Sequence, residues 1–368
     1  MRCSECPTPG WERTWGISEP HAVLKMPHPR VAAIGAMEAS SFRIRDGRRL
    51  QSIAMEATLE LDAQYRAIRE EAGLLDRSGR PRITVTGGEA AEFLQGQVTN
   101  DVEALEPGAG CYALLLDRKG RIRADMRVLR LAADAFLVDT EPELGEDVLG
   151  HLSTYNIGRD AAVTADAEPR SLLSLLGPMA AKLLGGAIPG PEHAHRELFV
   201  AGVGCRAVAT TAGADLLVPA AGADAVRDRL LAEGAQPVAE DAAEIARVEA
   251  GRPRVRREIG LRTMPAEAGL EERAVSFTKG CYIGQEPVAR LHYKGRPNRH
   301  LRRLRASAPV AAGDPVTADE RELGAVGTAV ISPAGGPLAL AILRREAEPG
   351  DEVAVGADAT ATVEAIEA

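Results

Sequence analysis

The sequence contains no unbroken apolar run of the roughly 18 to 20 residues that a membrane-spanning helix needs. Its most apolar stretch, LLSLLGPMAAKLLGGAIPG, is interrupted by Gly177, Pro178 and Lys182, so a soluble protein with no membrane partner is expected. Cysteine is scarce. Five residues, an odd number scattered over 368, make a poor disulfide framework and point to reduced thiols. The N-terminus has no basic-then-apolar signal pattern, and Glu5, Glu12 and Glu19 fit poorly with an organelle transit peptide, which makes the cytoplasm the expected location. Also missing are a G-x-x-x-x-G-K-[ST] loop, a G-x-S-x-G elbow and an H-E-x-x-H helix, and the glycines of GGEAAEFLQG have the wrong spacing for a dinucleotide fingerprint. Nucleotide hydrolysis and zinc hydrolysis thereby lose their support.

A length of 368 residues with 45% apolar content is enough for more than one packed core. The net charge of -9 argues against general adhesion to nucleic acid, and no direct nucleic-acid partner is expected. The stretch from Arg290 to Arg305 is nevertheless basic enough to meet a local anion. Residues 1–52 carry Trp11, Trp15 and five prolines without a sustained helix or strand period, and read as a disordered extension, with Met37 and Met55 as alternative starts. Cys3 and Cys6 form a C-x-x-C with no second pair at zinc spacing. The HAH at His193 to His195 reads as two solvated loop residues, and no metal site is expected.

Residues 53–290 alternate short strands and helices, an α+β pattern of two subdomains with antiparallel sheets. The first helix, LDAQYRAIREEAG, places Leu61, Tyr65, Ile68 and Ala72 at helical spacing and takes Gly73 as its stop. RITVTG alternates as a strand, and CYALLLDRKGRIRADMRVLRL reads as two strands around DRKG. From Leu172 to about Ala239 the order β-α-β-β-α-β is that of a ferredoxin-like unit. Residues 291–368 change to short runs punctuated by Gly, Pro and Asp, the pattern of a small C-terminal β-barrel.

Three polar constellations remain. Asp125, on the strand GRIRADMRV, needs a partner, for which an arginine of the same hairpin is the plain choice. Glu249 closes the helix EDAAEIARVE just before Gly251 and Pro253 and so faces the negative end of the dipole. Arg252, Arg254 or a ligand could compensate it, and two carboxylate oxygens suit a flat heterocycle with adjacent N–H donors. The segment KGCYIGQEPVAR sets Cys281 between Gly280 and Tyr282, with Lys279 and Arg290 placed to lower the thiol pKa or to hold an anion. Gly280 and Gly284 suggest a special backbone that presents the thiol, against the alternative of a small core residue in a turn.

KGCYIGQEPVAR looks like the signature of the YgfZ-type folate-binding proteins. YRAIREEAGLLDRSGRPRITVTG, FLQGQVTND, GRIRADMRV, RVEAGRP and the closing barrel resemble, in order, the wider family that contains the glycine cleavage T-protein, an aminomethyltransferase. The resemblance runs from about Met55 almost to the C-terminus. It implies a three-part arrangement around a pocket for tetrahydrofolate or a substituted derivative, with Glu249 on the pterin edge and Asp125 beside the reactive folate nitrogen. Asn100 and Asp101 of QGQVTND read as structural caps. T-proteins lack the cysteine, which favours the YgfZ branch, yet some YgfZ proteins replace the aspartate that stands here as Asp125. The function so implied is an accessory factor in assembly or repair of iron–sulfur clusters, with client enzymes, including tRNA-modifying radical enzymes, or the assembly machinery as partners and Cys281 as a functional thiol. The alternative is a folate-dependent aminomethyltransferase, so whether the chain is an enzyme stays open, and a monomer is expected. A cysteine hydrolase with His292 as base is weaker for want of an orienting third residue.

Overall fold

A computed structural model describes residues 58–366 apart from 167, 169 and 187. The expectations for residues 1–52, for Met37 and Met55 as starts and for the Cys3–Cys6 motif lie outside the described residues. Helix α1 (58–70) buries Tyr65, Ala67 and Ile68 on the face that the spacing predicts. Gly73 is not its stop. The helix ends earlier and Gly73 opens strand β1 (Gly73–Asp76), where a Cβ would sit 3.0 Å from both Ile68 and Val238; the glycine lets the strand pass close beneath the helix.

The chain continues as β2 (Arg82–Thr86), α2 (Ala90–Gln97), β3 (Gly110–Leu116), β4 (Ile122–Ala132), β5 (Ala135–Asp139), α3 (Gly145–Tyr155) and β6 (Ala162–Ala165). Strands β3-β4-β5-β2-β6 form an antiparallel sheet, and α2 buries Phe93 and Leu94 in its core. Next come β7 (Arg170–Leu176), α4 (Ala180–Leu183), β8 (His195–Val200), β9 (Val203–Thr210), β10 (Gly213–Pro219), α5 (Ala223–Ala232), β11 (Gln236–Pro237) and α6 (Glu240–Glu249). Their sheet has the order β11-β1-β7-β10-β9-β8. It is the expected ferredoxin-like unit with β1 inserted between its first and last strands and β8 added at the edge. The two sheets meet face to face through Leu129 and Leu137 on one side and Leu172, Val208 and Leu217 on the other.

After α7 (Glu271–Ala274) and α8 (Gln285–Lys294), strands β12 (Arg299–Ala306), β13 (Pro315–Ala318), β14 (Arg321–Ser332), β15 (Gly336–Arg344), β16 (Glu352–Val355) and β17 (Ala359–Glu364) close a six-stranded barrel. The α+β class with antiparallel sheets and a C-terminal barrel is the one the sequence predicts. Helix α6 joins the parts: Ala242 and Ala243 pack on α1, and Val248 packs on Leu338 and Leu340 of the barrel. Among the described residues no helix is long and apolar enough to cross a membrane.

Candidate functional site

Asp125 lies on β4 and is nearly buried, at 9% exposure. No arginine of its hairpin reaches it, because Arg127 is turned to Asp139 and Asp215. The partner is Tyr112, diagonal to it across the β3–β4 pair, whose hydroxyl donates to Oδ2 at 2.7 Å. Oδ1 is buried with no hydrogen-bond partner. Burial pushes the Asp125 carboxyl up and the Tyr112 hydrogen bond partly opposes it, while burial, then the Asp125 charge, raises the Tyr112 hydroxyl well above its ordinary range.

Glu249 is the last residue of α6, and Gly251, at φ +65°, ends the helix where a Cβ would run into Ile366. Neither Arg252 nor Arg254 compensates the carboxylate. Arg254 is held by Glu240, and the donors are instead Tyr65 of α1 at 2.8 Å and Ser332 of β14, with the Arg69 guanidinium 3.9 Å away. As at Asp125, one oxygen, Oε2, is buried without a hydrogen-bond donor. A cavity of about 200 Å³ begins at the residues that follow Glu249, walled by Ala250, Gly251 and Arg252, by Arg273, and by His300 and Arg302 of β12; neither carboxylate lines it. The Arg273 guanidinium lies 5.1 Å over the Tyr112 ring. The cavity wall thus runs from the residues next to Glu249 to the arginine that covers the tyrosine of Asp125.

The segment 276–283 is bound to the end of α2. Ser276 N–H donates to Thr99 O at 3.0 Å, Thr99 Oγ1 donates to Ala274 O, and Ile283 N–H donates to Gly96 O at 3.3 Å. Lys279 is buried and gives its ammonium to Gln95 O, Val98 O and Asn100 O at 2.6, 2.7 and 2.9 Å. All three of its protons are therefore committed to backbone, and none is left for an anion or for the thiol. Cys281 is exposed, and Gly284, at φ +85°, turns the chain into α8. Arg290 is exposed on α8. His292, on the same helix, stacks on Phe277 at 3.7 Å with Glu271 3.3 Å from Nδ1, a carboxylate partner the sequence does not reveal. Asn100 and Asp101 cap locally, Asn100 donating to Tyr112 O and Asp101 accepting from Gln95 and Ala104. The arginines from Arg299 to Arg305 are also spent, on Glu267, Ala347 O and Glu364.

The HAH pair departs most from expectation: His193 and His195 are not solvated but 7% and 3% exposed. The loop that carries His193 and the start of β8 at His195 are laid between the sheets, with His193 N–H donating to Ala209 O of β9 and His195 N–H to Gly108 O before β3. Burial first, with Glu192 opposing and Arg127 and Arg273 adding, pulls the His193 pKa down to about 4; burial and Arg206 do the same to His195. The unfolded chain binds these protons near 6.5 and the folded chain near 4, so in between the unfolded state holds more protons and stability falls with falling pH. Urea unfolding is expected to show full stability above about pH 6.5 and a loss of roughly 2 kcal/mol per histidine by about pH 5. His195→Gln should shrink that loss; an unchanged pH profile in this variant would assign the acid sensitivity to other groups.

The model of the GCVT N-terminal domain family matches residues 10–279. An aminomethyltransferase of Corynebacterium jeikeium is 28% identical over 335 residues, covering 81% of this chain and 85% of its own. A protein of Arabidopsis thaliana described as a chloroplastic transferase is 30% identical over 302 residues, covering 79% of this chain and 69% of its own. The crystal structure of the glycine cleavage system aminomethyltransferase T from Bartonella henselae superposes with a TM-score of 0.75 at 25% identity, over 83% of this chain and 88% of that one. With the family match covering most of its length and the same architecture in a solved relative, this chain belongs to the GCVT family of aminomethyltransferase-like proteins.

Proposed function

We propose that the protein binds tetrahydrofolate or a substituted derivative, and that as a YgfZ-type member of its family it serves the assembly or repair of iron–sulfur clusters in client enzymes through Cys281. The observation that carries folate binding is the pair of carboxylates, buried Asp125 and half-buried Glu249, each left with one buried oxygen that accepts no hydrogen bond from the protein. An acceptor oxygen in a dry site costs about 1–3 kcal/mol until a donor arrives, and a reduced pterin has N–H donors along its edge. The residues present therefore fit the group. Glu249 would hold the ring edge and Asp125 a polar atom beyond it, while Arg252, on the wall of the adjoining cavity, would meet the anionic tail of the ligand. When bound, the folate would supply a one-carbon-carrying nitrogen. In this reading residues 53–290 form the binding region, and the barrel of 291–368 closes on it, with Ser332 as a second donor to Glu249.

For the accessory role, the support is that the signature thiol is exposed while the lysine beside it is spent on backbone. One exposed cysteine is too few for the usual four thiolates of a cluster, so Cys281 acts on clients rather than housing a cluster alone. A second reading, a folate-dependent aminomethyl transfer, is favoured by the retention of Asp125 in a site that raises its pKa. Titration with tetrahydrofolate tests the shared part. Glu249→Gln is expected to weaken binding by about 1.5–3 kcal/mol, since a charge-assisted bond is lost; unchanged affinity removes Glu249 from the site. Complementation of a deletion strain separates the two readings. Cys281→Ser should fail to restore iron–sulfur enzyme activity, whereas full rescue by it, together with loss of a folate-dependent transfer in Asp125→Asn, establishes the transferase instead.

A further inference from the structure

His193 is the buried polar side chain whose own protein partners explain it least. It sits in the loop between α4 and β8 with φ +69°, a left-handed conformation that is uncommon outside glycine and costs about 1–3 kcal/mol. The surroundings enforce this geometry. Its backbone N–H is fixed to Ala209 O at 2.8 Å, and its carbonyl lies against β3 at Gly110, where a Cβ would come within 2.9 Å of that oxygen. The side chain is 7% exposed, and neither Nδ1 nor Nε2 has a hydrogen-bond partner. A neutral imidazole always carries one N–H donor and one acceptor nitrogen, so both capacities are unmet whichever tautomer is present.

The neighbours do not relieve this. Glu192 Oε1 is 3.7 Å from Nε2, beyond hydrogen-bond reach, and is taken by Arg273 at 2.8 Å. His195, two residues on, is better served, since its Nδ1 accepts from Arg206 at 3.0 Å, although its Nε2 is likewise buried without a partner. What His193 faces is the Tyr112 ring, near-parallel with centroids 6.5 Å apart. That is the tyrosine whose hydroxyl binds Asp125, itself short of one partner.

We infer that His193 is a ligand-contacting residue of the folate site, offering its N–H and its bare ring nitrogen to a donor–acceptor pair of the bound folate, such as a lactam or amide, beside Asp125. This rests on the folate reading above. A residue held strained and unsatisfied in the ligand-free protein has its compensation in the complex.

His193→Phe keeps a flat ring against Tyr112 and deletes both nitrogens. The expected result is a ligand-free Tm that is unchanged or higher, together with tetrahydrofolate affinity lower by about tenfold or more. His193→Gly relieves the left-handed strain, folds where the phenylalanine does not, and should show the same loss of affinity. Affinity equal to that of the unaltered protein in either variant overturns the inference and leaves the folate reading standing, as does a lower Tm in both variants with no change in binding. Failure of the unaltered protein to bind tetrahydrofolate overturns both.

Discussion

Arg127→Met is expected to lower the unfolding free energy by about 3–5 kcal/mol, because it strands two carboxylates inside the protein. Arg127 lies on β4 where the two sheets face each other, with Nε on Asp139 of β5 at 3.0 Å and Nη1 on Asp215 of β10. The three residues are 7%, 1% and 6% exposed. Burial alone would raise both carboxyls, but the charge of Arg127 overrides it and holds both below their ordinary range. Without the guanidinium, among the described residues Asp139 keeps only Arg80 at 3.4 Å, and Asp215 keeps only the Ser174 hydroxyl at 2.6 Å. The loss is a property of the network rather than of one residue. Arg127→Met combined with Asp139→Asn and Asp215→Asn should recover most of it, since removing all the charges is far cheaper than removing one sign. Urea unfolding at neutral pH of the single and triple variants checks this; a single-variant loss below about 1 kcal/mol would mean that water enters the seam and solvates the acids.

The same sheet interface shows how far the sequence could be read. The β3–β4 hairpin, α6 with its glycine stop and the barrel strands after Arg305 are local patterns, and each is visible as alternation or helical spacing. Several strands are not, β1 and β12 among them. Strand β1 is only GLLD behind a glycine that also suits a helix end, and β12 reads RHLRRLRA, whose buried Leu301, Leu304 and Ala306 are masked by arginines that find acids far along the chain. The polar groups follow the same rule. Asp125 and Glu249 are conspicuous as acids in costly places, but the Glu249 donors are 184 and 83 residues away. The burial of His193 depends on β3 and β9 closing over a loop whose own composition is polar. Position on an element is encoded locally, whereas the identity of a partner is set by the packing of elements that the sequence does not order in space.

Lys279→Met is expected to cost about 3–5 kcal/mol and to release the segment that carries Cys281. The ammonium caps the end of α2 with three carbonyl bonds, and a cation at the negative end of a helix dipole gains further. Burial pulls its pKa down to about 8, which leaves it charged at neutral pH. It also lies 5.1 Å over the Tyr282 ring, so the residues on both sides of Cys281 are pinned by one side chain. Methionine fills the volume but leaves three carbonyls without a donor. Arginine does not restore them, since a planar fork cannot reproduce three bonds that converge on a single nitrogen. The bonds from Ser276 and Ile283 to α2 survive the substitution but lose the anchor between them. Amide exchange should therefore accelerate at residues 276–283 and at the end of α2, while the barrel strands keep their protection. The exposed thiol would then lose its fixed position without losing its exposure, and Lys279→Met should impair any function of Cys281 although the cysteine remains. Unchanged exchange across 276–283 would show that the two backbone bonds hold the segment by themselves and that the lysine has no part in placing the thiol.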